Sequence, residues 1–231
     1  SRNDVPSALD LYKTILSQMP DKSVVIVSVG WTVNLRDLLM DQEGYELVES
    51  KVNQLVQMGG GWDPPDSSSS RPQMNLLGNQ VTAPAYESGK YVIDNWPTPI
   101  VLSGRVGAKV QTGKKLADTP ENNPVREAYR YAALKSDGEI KNSHSSDQTA
   151  ALYAVRGEST YWKLHSHGTP RIFLKADSWT PEKPFENRFL RWHTMWDSSF
   201  DSDHSYLKFA TDPIEIANII EELMIRPPKS K

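Results

Sequence analysis

The sequence predicts an α/β fold, an open and mostly parallel sheet with helices on both faces. Three observations point there. The segment Ser23-Val-Val-Ile-Val-Ser-Val29 is an almost unbroken, β-branched apolar run, as expected of a parallel strand covered on both faces. A second strand pattern at residues 52–58 follows an intervening helical stretch, which leaves room for the crossover that parallel neighbours need. The alternation of strand and helix then continues along the chain.

Element by element, Ala8, Leu9, Leu11, Tyr12, Ile15 and Leu16 recur at helical spacing and predict a helix before the first strand. Asn34-Leu-Arg-Asp-Leu-Leu-Met40 predicts a helix after it. The strand at 52–58 ends on Gly59-Gly60-Gly61, and 62–71, with two prolines and four consecutive serines, reads as a loop at that strand's carboxyl end. A helix over 83–95 leads to a short apolar strand at 99–103. Asn123-Pro124 opens another helix, with proline near its first turn. The run 149–155 is helical, with Gly157 stopping it. Short strands are expected at 171–174 and 205–209, and a closing helix at 213–224 behind Asp212.

Composition narrows the function classes. A chain of 231 residues, 38% hydrophobic and with seven tryptophans, can bury one substantial core, which suggests a single domain over 1–231. The net charge of -3, with both signs interspersed, makes no broad positive field for a phosphate backbone, so nucleic acid is not an expected partner. No apolar run approaches the roughly 20 residues of a membrane span, so no membrane is expected either. The absence of cysteine excludes disulfides and thiol chemistry. A chain that opens at Ser1 directly into a helical pattern reads as secreted or proteolytically processed.

Open parallel sheets collect ligands outside the carboxyl ends of their strands. Those ends carry Gly30-Trp-Thr-Val-Asn34, Met58-Gly-Gly-Gly61 and Ser103-Gly104, and Asp147 stands at the head of a helix. No glycine cluster fits G-x-G-x-x-G or a Walker loop, so a nucleotide-phosphate site is not expected there.

A series of segments in fixed order carries a resemblance. They are Val25-Ile-Val-Ser-Val-Gly30 with Asn34-Leu35, Lys51-Val52 through Met58-Gly59-Gly60, Gln73-Met74-Asn75, Asn95-Trp-Pro-Thr-Pro-Ile100, Ser103-Gly104 with Thr112-Gly113, Pro124-Val-Arg-Glu-Ala-Tyr129, and Ser146-Asp-Gln-Thr-Ala150 with Ala154-Val-Arg-Gly157. Together they resemble the inosine-uridine preferring nucleoside hydrolases, especially the longer subgroup of fungi and bacteria, over most of the chain. The resemblance implies a Rossmann-like nucleoside hydrolase fold whose N-terminal strands are missing here. It also implies hydrolysis of the N-glycosidic bond of a ribonucleoside or other sugar-containing small molecule, with Ca2+ holding the ribose hydroxyls and the attacking water.

Residue by residue, the resemblance puts Asp147 on the family's downstream metal aspartate and the Val33 carbonyl on a metal-binding carbonyl. Met58, Gln73 and Asn75 fall on substrate-binding positions. Gln73 stands where the family has a glutamate, and Ser146 where the best-known members have a histidine. No D-x-D-x-x-x-D-D occurs in the sequence, so the catalytic base is expected in an N-terminal piece or second chain that completes the fold; a homo-oligomer stays open. Asp201-Ser-Asp203, in a Ser- and His-rich loop, reads as solvated. Two functions follow from different classes. One is nucleoside hydrolase chemistry by the completed assembly, this chain alone being inactive. The other is an inactive homologue acting as a carbohydrate- or nucleoside-binding, toxin or defence protein, for which Gln73, Val33 and Ser146 speak.

Overall fold

The computed structural model describes residues 5–62, 74–79, 83–134, 137–174 and 192–227. The chain divides into two compact units, Ser1–Gly104 with Leu164–Leu207, and Arg105–Lys163 with Lys208–Lys231.

The first unit opens with α1 (Ala8–Leu16), β1 (Val24–Ser28), α2 (Val33–Met40), α3 (Gln42–Lys51) and β2 (Val52–Gln57). It continues through a short α4 (Met74–Leu77), the paired β3 (Gly78–Asn79) and β4 (Ala83–Pro84), α5 (Tyr86–Asn95) and β5 (Ile100–Leu102). The second unit holds α6 (Val106–Lys109), β6 (Gln111–Thr112), a 3-10 turn at Lys114–Asp118, α7 (Pro124–Ala133), β7 (Ser143–His144) and α8 (Ser146–Arg156). Then come β8 (Trp162–His165), β9 (Thr169–Leu174), β10 (Trp192–Asp197), β11 (Ser205–Phe209) and, in the second unit, α9 (Pro213–Ile225). The division between units falls within β8 and β11.

The main sheet has five strands in the order β1-β2-β5-β11-β8, and β1–β2, β2–β5 and β5–β11 are all parallel. The expected adjacency of the first two strands is therefore present, with Ile26 beside Leu55 and Leu55 beside Ile100. Side chains alternate along a strand, so Ile26, Leu55, Ile100, Leu102 and Tyr206 share one face. They join the core with Leu35 and Leu38 of α2, Val48 of α3, and Val92 and Ile93 of α5. Local chemistry sets the helix starts. The Ser7 hydroxyl accepts from the Asp10 amide at 3.1 Å, and the Asp41 carboxylate accepts from the Gly44 amide at 2.8 Å.

Several expectations need correction. The first strand is not buried on both faces: β1 is the sheet edge, and Val27 is 38% exposed. The helix expected from 83 starts at Tyr86, because Ala83–Pro84 pair with Gly78–Asn79; a residue preceding proline is driven to extended backbone, away from the helical region. The segment around 171–174 does not join the sheet. It is half of an antiparallel ribbon, β9 with β10, whose second strand carried no expectation. Among the described residues no helix is long and apolar enough to cross a membrane.

In the second unit α6 packs on α8 through Gly107. A Cβ there would meet Ser146 Cα at 2.3 Å, so only glycine permits the approach. The Ser145 amide donates to the carbonyls of Gly107 and Val110 at 3.2 and 3.0 Å, which fixes the start of α8. Asn123 caps α7 by accepting from the amides of Val125 and Arg126, with Pro124 in the first turn. Asp212 caps α9 by accepting from the Ile214 amide at 2.8 Å. Glu221, inside α9, is buried and accepts from the amides of Gly113 and Lys115 at 3.1 and 3.0 Å; its carboxylate also lies 3.2 Å from Lys115 Nζ.

Burial pushes the Glu221 carboxyl up, but the Lys115 and Gly113 amides and the Lys115 ammonium outweigh it and hold the group below the ordinary glutamate value of 4.5. A lowered folded pKa gives stability that is present above pH 4.5 and lost as pH falls from there through the folded value. Acid unfolding of Glu221→Gln should therefore lack part of the wild-type slope below pH 4.5. At pH 7 the variant should cost about 1–3 kcal/mol, the range for a charge-assisted hydrogen bond. Identical slopes in the two proteins would show that Glu221 does not couple to folding.

Candidate functional site

The carboxyl ends of β1 and β2 meet at one carbonyl. The Met58 amide continues the ladder by donating to Ser28 O at 2.8 Å, which brings residues 28–29 beside Met58. The Met58 carbonyl then accepts from Gln57 Nε2 at 2.8 Å and from Asn75 Nδ2 at 3.2 Å. Asn75 Nδ2 also lies 3.1 Å from Val29 O and 2.8 Å from Met58 Sδ. A side-chain NH2 has two hydrogens, so these three acceptors share them, and facing two carbonyl oxygens fixes the amide with nitrogen inward. One amide from α4 thus closes the ends of two parallel strands.

Beyond Met58 the chain turns through Gly59 and Gly60, whose φ values of 147° and 86° fall where glycine is favoured. A Cβ on Gly60 would lie 1.9 Å from the Trp62 ring, so the indole rests directly on the turn. Trp62 Nε1 donates to Gly59 O at 2.9 Å, and the ring meets Trp196 edge-on at 6.4 Å. Thr194 holds the same turn by accepting from the Gly61 amide at 2.9 Å. Next to β5, His204 Nδ1 accepts from the Ile100 amide at 3.1 Å; burial holds its pKa below the usual 6.5, so it is a neutral structural acceptor.

The residues expected at the site separate as follows. Met58 and Asn75 are in direct contact in the first unit. Val33 is the first residue of α2, where helix geometry directs the carbonyl along the axis toward the residue four positions on. Gln73 lies outside the described residues. Asp147 belongs to the second unit, in the first turn of α8. It is not the N-cap, because the helix starts at Ser146 with Ser145 as its cap residue. Asp147 is exposed on its surface side, and partial burial raises its carboxyl above the ordinary aspartate value of 3.8.

Calcium takes six to eight oxygen ligands with enough carboxylate to neutralise it. Among the described residues no three His, Cys, Asp or Glu gather in one place.

Two polar groups at the strand ends are buried without partners. Gln57 is fully buried with Oε1 unpartnered, and Ser103 is 2% exposed with its hydroxyl unpartnered. Ser103 stands at a strand end that the sequence marked, whereas Gln57 was missed, and a polar residue ending an otherwise apolar strand was the available signal for it.

The mostly parallel five-stranded sheet with flanking helices makes this an α/β protein of Rossmann-like layout. No protein-family model and no curated protein matches the chain.

Asp147 provides a direct check on this geometry. A raised folded pKa in an acid gives stability that is present below 3.8 and lost as pH rises through the folded value. A carboxyl-detected NMR titration should find Asp147 protonating above the ordinary aspartate value, and a value below 3.8 would mean that a cation or donor absent from this arrangement faces it.

Proposed function

We propose that this chain is the greater part of a nucleoside N-ribohydrolase-like protein that binds the sugar of a ribonucleoside at the ends of β1 and β2. In the overall reaction, water adds across the bond between ribose C1′ and the base nitrogen, giving free ribose and the protonated base. The observation that carries this reading is the contact of Asn75 with Met58 across the two strand ends. Both residues lie where open parallel sheets hold ligands, and both match sugar-binding positions of the family the sequence resembles. With Nδ2 committed to backbone carbonyls, Asn75 Oδ1 is the atom that would accept from a ribose hydroxyl.

The same reading assigns the further metal carboxylates, together with the catalytic base, to an aspartate-rich segment of a second chain or N-terminal piece. The edge position of β1 supports this assignment. An edge strand presents unpaired backbone groups, and the partly exposed Val27 sits on it, so a further strand has a place to pair. Calcium would be bound only by the completed set.

A second reading, a binding protein without catalysis, is favoured by the single exposed carboxylate at Asp147 and by the commitment of the Asn75 amide to structure.

An NMR titration of the chain with inosine tests the binding step. The amides of residues 58–60 and 75 should shift saturably, and Asn75→Ala should abolish the response without unfolding the protein. Inosine that perturbs none of those amides would defeat both readings. The chain alone should release no base from inosine or uridine with calcium present; base release would contradict placing the catalytic base on another segment.

A further inference from the structure

The second unit contains a cleft of about 350 Å3 whose two walls have different chemistry. Lys109, Lys114 and Lys115 form one wall, and Ile214, Ala217 and Asn218 of α9 form the other. These three exposed lysines line the space, and among its lining residues Glu221 is the one carboxylate. That carboxylate is already taken, because it pairs with Lys115 at 3.2 Å and accepts two backbone amides. Among the described residues neither Lys109 nor Lys114 pairs with a carboxylate, although both line the cleft. Like charges gathered in one concavity repel one another, which an anion would relieve.

Position and polarity add to this. The backbone amide of Lys114 donates to Asn142 Oδ1 at 2.8 Å, which fixes the start of the 3-10 turn and the point from which the lysine projects. Asn142 also lines the cleft. Opposite, Ile214 is 67% exposed, an apolar side chain on the rim of a charged space. The first turn of α9 adds no strong anion donor of its own, since Asp212 already occupies the Ile214 amide. The lysines therefore carry the recognition.

We propose that this cleft binds a small organic phosphate monoester, its dianion between Lys109 and Lys114 and its apolar body on Ile214 and Ala217. The two positive charges of Lys109 and Lys114 match the near-double negative charge of a phosphate monoester at neutral pH better than they match a carboxylate. Lysine is an established phosphate partner as a point charge, and the apolar wall favours an organic ester over inorganic phosphate. This inference is independent of the nucleoside reading.

Calorimetric titration of the full chain at pH 7.5 and constant ionic strength tests it, with phenyl phosphate as the probe and inorganic phosphate and benzoate as comparators. Phenyl phosphate should bind saturably at one site and more tightly than either comparator. The double variant Lys109→Met/Lys114→Met, altered only at exposed positions, should weaken it at least tenfold, while Lys90→Met in the first unit should leave it unchanged. Absence of saturable binding, equal binding of benzoate, or unchanged affinity in the double variant would each overturn the proposal. A Lys90→Met variant that lost affinity to the same degree would overturn it too, as non-specific charge attraction.

Discussion

Two backbone carbonyls at the carboxyl ends of β1 and β2, Val29 and Met58, have to be satisfied where the sheet ladder stops, and a single side-chain amide does it. Asn75 reaches both from α4, and the second lone pair of the Met58 carbonyl is taken by Gln57. A hydrogen bond at such a partly exposed site contributes about 0.5–1.5 kcal/mol, so Asn75 ties α4 to the sheet more firmly than four residues of helix could manage alone. The tie propagates to α5, since Gly89 lets that helix approach so closely that a Cβ would lie 2.0 Å from Leu76 O. The strand ends, α4 and α5 therefore act as one piece, with the Gly59-Gly60 turn and Trp62 beside them.

This closure shapes what the strand ends can do. Gly60 admits the Trp62 indole, and Trp62, Trp196 and Tyr206 continue as an aromatic cluster, with Tyr206 and Trp196 centred 4.9 Å apart. Apolar packing rather than charge dominates the neighbourhood, and its polar groups are amides, hydroxyls and two imidazoles, His165 against Trp196 and Tyr206 and His204 beside β5. Such a set can orient neutral hydroxyls. The proposed chemistry draws its metal carboxylates from elsewhere, whereas binding a sugar does not need them. The second unit contrasts with this, since charged groups line its cleft.

Much of the sheet was legible in the sequence because parallel strands advertise themselves. The run at 23–29 and the pattern at 52–58 carry continuous apolar character, and the helices of the first unit bury clear stripes such as Leu35, Leu38 and Leu39. What the sequence could not tell was which strand would be the edge. Val27 is as apolar as Val56, yet one is partly exposed and the other fully buried, and only the neighbouring strand decides that. The ribbon of β9 and β10 was obscured because 192–197, Trp-His-Thr-Met-Trp-Asp, lacks clean alternation and its pairing spans residues far apart in the chain. Near the candidate site, motif order named Met58 and Asn75, which are in contact, whereas the orphan atoms of Gln57 and Ser103 depend on burial that no local pattern encodes. α8 begins at Ser146, three residues before the helix expected from 149, with Ser145 in the cap position.

The dependence of the strand ends on one amide can be measured by hydrogen exchange in Asn75→Ala. If that amide closes the ends of β1 and β2, the backbone amides of residues 58 and 59 should exchange faster, β5 should keep its protection, and global stability should fall by about 0.5–1.5 kcal/mol, the net contribution of a partly exposed hydrogen bond. Unchanged exchange at residues 58 and 59 would show that Asn75 is a bystander and that something else holds the strand ends together.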